Sequence, residues 1–166
     1  MTPPRTRTVS WADPRALAER GLELSGLEFL QAIRDGALPQ PPIAELLGFA
    51  LETVEEGRAV FAGEPGEHHY NPIGAVHGGL AATLLDSAMG CAVQSRLPAR
   101  TPWTTLELGV SFVRPIAADT GRVLAEGTLI HLGRTIATAH GRVTSERTGK
   151  LLAHGTTTCL MLAPLS

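Results

Sequence analysis

The sequence predicts an α+β fold: an antiparallel sheet wrapped around one long central helix, preceded by a helical N-terminal extension. Three observations point there. The stretch from Gly78 to about Gln94 has helical periodicity, with apolar residues around most of its circumference, as a buried helix requires. Two short strand-like segments come before it and four come after it, separated by turn signals that favour antiparallel pairing. A single sheet protects only one side of such a helix and leaves two open edges, so self-association through a sheet edge is expected.

The elements follow in order. Residues 1 to about 10 carry two prolines and alternating Arg and Thr, the composition of a loose arm. Asp13-Pro14 is an N-cap followed by proline at the first helical position, with Gly21 as the stop. Ser25 and Glu28 form a capping-box pair opening a second helix, which Gly36 ends. The prolines from Pro39 to Pro42 make a connector to a short helix over Ile43 to Leu47, closed by Gly48. Phe49–Val54 and Arg58–Gly63 are strands joined by the hairpin signal Glu55-Glu56-Gly57. A polar, His-containing loop from Glu64 to Val76 leads into the long helix. Beyond it, Thr104–Val113 alternates, with Leu106, Leu108, Val110 and Phe112 expected on one face. Strands at 121–131, 135–144 and 151–161 complete the pattern. The domain reading is an arm and helical extension over 1–46 and one folded domain over 47–166.

Composition narrows the function. Of 166 residues, 43% are hydrophobic and 18% charged, with a formal net charge of −2. No cationic surplus exists to neutralise phosphates and only 4% of residues are aromatic, so nucleic acid is not the expected partner. Cys91 and Cys159 lie in apolar stretches, as small buried hydrophobes do. There is no secretory h-region and no apolar run long enough for a membrane helix, which gives a cytoplasmic expectation without a membrane partner. His68, His69 and His77 lack the further ligands that zinc requires, so no metal is expected.

The chemistry concentrates between Asn71 and Asp86. A carboxylate at Asp86, inside an apolar helix, is costly unless it is paired, protonated or functional. The alternative is a polar strip with Thr83 and Ser87. At the helix start, His77-Gly78-Gly79 lets a ligand approach backbone N–H groups that have no intrahelical partner, and these suit a developing oxyanion. Gly78 and Asp86 are eight residues apart, about 12 Å along a helix. A carbonyl carbon within about 3 Å of both cannot exist in one chain. If both serve one reaction, Gly78 comes from one subunit and Asp86 from its neighbour.

The segment NPIGAVHGGLAATLLD resembles the active-site segment of hotdog-fold acyl-CoA thioesterases of the phenylacetate-degradation (PaaI-type) group, and the likeness extends over about residues 47 to 163. The resemblance implies Asp86 as nucleophile or general base, the Gly78 amide as oxyanion donor and Asn71 as a second holder of the thioester carbonyl. A hydroxyl on the next strand, Thr105 or by a shift of register Thr104, would orient water. His77, Gly79 and Arg114 would contact substrate, and Arg96, Arg100 and Arg142 are further candidates for the phosphates of coenzyme A. It implies no cofactor beyond the coenzyme A of the substrate, an aryl- or medium-chain acyl group, and a homo-oligomer: at least a dimer, with a homotetramer (dimer of dimers) favoured. No Gly-x-Ser-x-Gly elbow supports a serine route. Two rivals stand beside this reading. One is a hotdog enoyl-CoA hydratase or dehydratase, for which His77 lies too far from Asn71-Pro72. The other is a non-catalytic acyl-CoA-binding module, which would need no carboxylate at Asp86.

Overall fold

A computed structural model describes residues 3–162; the ends of both expected segments, 1–2 and 163–166, lie outside the described residues. Three helices open the chain: α1 (Pro14–Glu23), α2 (Gly26–Arg34) and α3 (Pro42–Leu47). Strands β1 (Phe49–Glu55) and β2 (Arg58–Gly63) precede the long helix α4 (Gly78–Gln94). Strands β3 (Trp103–Phe112), β4 (Val123–Leu132), β5 (Ile136–Ser145) and β6 (Leu151–Met161) follow it. All pairings are antiparallel, and the six strands lie in the order β1-β2-β4-β5-β6-β3. This is the α+β hotdog arrangement, with α4 on the concave side of one sheet.

The seating of α4 explains why the sheet can wrap it. Leu84, Leu85, Ala88, Met89, Ala92 and Val93 are fully buried. Gly127, Gly141 and Gly155 sit opposite one another on β4, β5 and β6. A Cβ at Gly127 would lie 2.3 Å from the Ala88 backbone, and one at Gly141 2.9 Å from the Met89 side chain. Their missing side chains let helix and sheet approach at van der Waals distance.

The extension is anchored, which corrects two expectations. Ser25 caps α2, and the Ser25–Glu28 capping box forms as the sequence predicts. Yet Gly21 does not stop α1, which runs on to Glu23; a Cβ there would sit 3.1 Å from the Phe29 ring, so this glycine lets α1 pack on α2. Gly26 donates to the Leu97 carbonyl at 2.9 Å and lies against Gln94, tying α2 to the far end of α4, while Leu30 enters the main core. The expected loose arm is tacked down: Arg5 pairs with Glu67, and Arg7 Nη1 donates to the Leu46 carbonyl at 2.7 Å, at the negative end of α3.

Strand β3 also departs from simple alternation. A bulge between Thr105 and Glu107 inserts Leu106 as an unpaired residue and reverses the parity of the strand. Trp103 and Thr105 before the bulge, and Leu108, Val110 and Phe112 after it, therefore face α4. Leu106, expected on that face, is 56% exposed. No helix among the described residues is long and apolar enough to cross a membrane.

Candidate active site

The sequence-predicted residues gather into two groups at different levels of α4. In the first, Thr105 Oγ1 donates to Asp86 Oδ1 at 3.0 Å. The β3 bulge makes this contact: Trp103 and Thr105 are turned to the helix and Thr104 points away, so Thr105 is the hydroxyl beside Asp86. Asp86 is half-buried, lies on the less covered strip of α4 with Thr83 and Ser87, and has no cationic partner among the described residues. Its uncompensated charge reaches nearby thiols. Burial, with the Asp86 carboxylate adding to it, pushes the Cys91 thiol up to about 12, and Cys159 is raised by the same two causes. Both remain protonated near neutral pH, which removes them as nucleophiles.

The second group lies at the N-terminus of α4. His77, Gly78, Gly79, Phe112 and Arg114 line a cleft of about 430 Å³. His77 caps the helix: its Nδ1 accepts from the Gly79 N–H at 2.8 Å. Gly79 is thus occupied, whereas the Gly78 N–H has no acceptor among the described residues. The ring of Phe112 covers Gly78, where a Cβ would come within 2.9 Å of it. Arg114 is exposed at the same cleft and donates to the Leu151 carbonyl at 2.7 Å, with no carboxylate partner among the described residues. Arg142 pairs with Glu126 and Arg96 with Glu56, so of the four arginines considered Arg114 is the one set into this cleft.

Asn71 supports the group from behind. Its Oδ1 accepts from Ile73 N and Ala75 N, both at 3.1 Å, folding the loop that delivers His77. Only its amide NH2 is left to meet a substrate. Sequence reasoning missed what organises the rest of this loop. His69 is 7% exposed; its Nδ1 accepts from Gly66 N at 3.0 Å, so its Nε2–H donates to the Leu47 carbonyl at 2.9 Å. The His69 carbonyl in turn accepts from His77 N at 2.8 Å. The apolar context of position 69 is not visible in a polar loop sequence.

This geometry requires a neutral His69. Burial holds its pKa below the ordinary 6.5. With the folded value depressed, the unfolded chain binds the extra proton first as pH falls, so stability is full above about 6.5 and declines through the lower folded value. Urea midpoints measured from pH 7.5 to 5.0 are expected to fall, and to fall less steeply in His69→Gln. Equal slopes in the two proteins would show that other groups carry the acid sensitivity.

Fold and site together define a hotdog protein with a helix-borne carboxylate and a separate cleft at the N-terminus of the same helix. Comparison with known proteins agrees. Residues 73–152 match the family described as the thioesterase superfamily. Among solved structures, a mutant of the phenylacetic acid degradation protein PaaI from Thermus thermophilus is 36% identical, with a TM-score of 0.66, over 74% of this chain and 100% of that one. Human acyl-coenzyme A thioesterase 13 is 30% identical over 107 residues, 63% of this chain and 74% of the relative. Its mouse counterpart is 32% identical over 89 residues, 54% of this chain. The match covers 66% of a Halobacterium salinarum relative and 62% of the mouse protein, just under two thirds of each. The chain belongs to the thioesterase superfamily. The Thermus protein is matched over its whole length, and the quarter of this chain left over is close in size to the N-terminal extension.

Proposed function

We propose that this protein is an acyl-CoA thioesterase that releases a free acid and coenzyme A, working as a homo-oligomer with composite sites. The observation that carries the reading is the Asp86–Thr105 pair, a half-buried carboxylate with no counter-ion among the described residues, oriented by a hydroxyl. Asp86 acts as nucleophile or as general base toward water. The carbonyl oxygen, as it gains negative charge, is held by the free Gly78 N–H at the positive end of α4, with the Asn71 amide as second donor. The C–S bond then breaks and coenzyme A leaves as thiol. A thioester is activated enough for this set to suffice. His77 fixes the helix start, Gly79 lets the His77 ring lie against the backbone, and Arg114 meets a phosphate of coenzyme A. No other cofactor is required.

The separation of the two groups supports a shared site. Gly78 and Asp86 stand about 12 Å apart on one rigid helix, so one thioester meets both only if they come from different subunits. The edge strand β3 supplies the means: it is ten residues long, flanks Asp86 and exposes Leu106 and Phe112, while the other edge, β1, is backed by α2 and α3. Pairing of β3 with its copy joins two sheets at a two-fold axis; a dimer of such dimers gives the tetramer.

The test is thiol release from a panel of acyl-CoAs, including aryl-acetyl, benzoyl and straight chains, combined with subunit mixing. Asp86→Asn and Gly78→Val are each inactive alone. Refolded together, half the dimers are mixed and each holds one intact site, restoring about a quarter of wild-type activity. Two inactive proteins that stay inactive when mixed would mean that the two groups do not meet across subunits in one shared site.

A further inference from the structure

The thioesterase reading, on which this inference rests, leaves open how long an acyl group the site accepts. Positions 86, 90 and 94 of α4 lie on one face, four residues apart. Strand β3 runs beside that face, with Thr105 at the level of Asp86 and Trp103 at the level of Gly90. At Gly90 strand and helix are in contact: an added Cβ would begin 2.6 Å from Cη2 of Trp103, so the indole rests directly on the helix backbone. Beyond the indole lies a partly open pocket of about 240 Å³, lined by Trp103, Leu97, Phe29 and Leu22 together with the polar Gln94 and Arg100. Its outer wall is built by α1 and α2 of the extension, and Gln94 is about 12 Å along the helix from Asp86.

We infer that Trp103 is the length gauge of the acyl site. It packs on the helix one turn beyond the catalytic carboxylate, restricting the substrate to short or compact aryl acyl groups, and separates that carboxylate from a partly open pocket of mixed lining that would otherwise receive the tail of a longer chain. The indole touches the end of the acyl group and takes no part in bond breaking. The N-terminal extension is therefore part of the specificity apparatus, because Leu22 and Phe29 supply apolar lining to that pocket.

The experiment is a chain-length profile of kcat/KM, from acetyl- to palmitoyl-CoA, for the wild-type protein, Trp103→Ala and the double variant Trp103→Ala/Ala18→Trp. Ala18 lines the pocket from α1. Wild-type kcat/KM falls once the chain is long enough to reach the indole. In Trp103→Ala the profile extends to longer chains, gaining about fourfold for each methylene newly buried. The double variant refills the pocket and loses the gain. A profile unchanged in Trp103→Ala, with wild-type activity intact, overturns the gauge alone; no hydrolysis of any chain by the wild-type protein overturns the thioesterase reading and the gauge with it. Should Trp103→Ala lack a melting transition, Trp103→Leu carries the same comparison with the same two outcomes.

Discussion

Asp86→Asn is expected to lower kcat/KM for every thioester substrate by at least about a hundredfold, the usual contribution of a positioned base or nucleophile. The substitution is nearly isosteric, and the amide oxygen can still accept from Thr105 Oγ1, as Asp86 Oδ1 does at 3.0 Å. What disappears is the charge and the basic lone pair. Because Asp86 has no cationic partner among the described residues, its replacement leaves no buried ion behind, and the melting temperature should stay within a few degrees of wild type. Thr105→Val is expected to cost less, roughly tenfold, since the hydroxyl only orients the carboxylate or its water. Steady-state kinetics of the two variants, with melting curves as the check on folding, gives the answer. Activity within about threefold of wild type in Asp86→Asn would remove the carboxylate from the chemistry and favour a binding-only protein.

Much of this architecture was legible because it depends on local periodicity. The limits of α4, β2 and β6 follow from apolar spacing and flanking glycines, and Asp86 stood out as a charge among Leu84, Leu85, Ala88 and Met89. The elements that were misread depend on partners distant in sequence. Gly21 has the signature of a helix stop, but the ring of Phe29 gives it a packing role. Leu106 fits a perfect alternation that a bulge, set by pairing with β6, interrupts. His69 looks like one of several loop histidines until Leu47, 22 residues away, supplies its acceptor. Asn71 shows the limit most clearly for the site. The family resemblance gives it a substrate role, whereas its oxygen is committed to the loop that carries His77, so the same side chain shapes the site and offers only its amide to substrate.

The glycine row beneath α4 ties stability to activity. At Gly127 the obstacle to a side chain is the backbone of Ala88 at 2.3 Å, which cannot rotate aside as the end of a flexible side chain could. Gly127→Ala must therefore lift the helix off β4 or distort the strand, and overpacking of this kind costs about 3 kcal/mol. For a domain of this size that is a fall in melting temperature of about 10 °C. Gly109→Ala is the matched control: it adds the same methyl group on β3, where the nearest atom is Thr156 Oγ1 at 3.6 Å, an ordinary contact. The damage at Gly127 should reach the chemistry too. Ala88 lies two residues from Asp86, so a helix raised at that point draws the carboxylate away from Thr105 and disturbs the hydrogen bond between them. Surviving folded protein is then expected to show a reduced kcat as well as reduced stability. Calorimetry and kinetics on the same preparations test both; a Gly127→Ala protein as stable as Gly109→Ala would mean that the sheet can relax away from the helix at small cost.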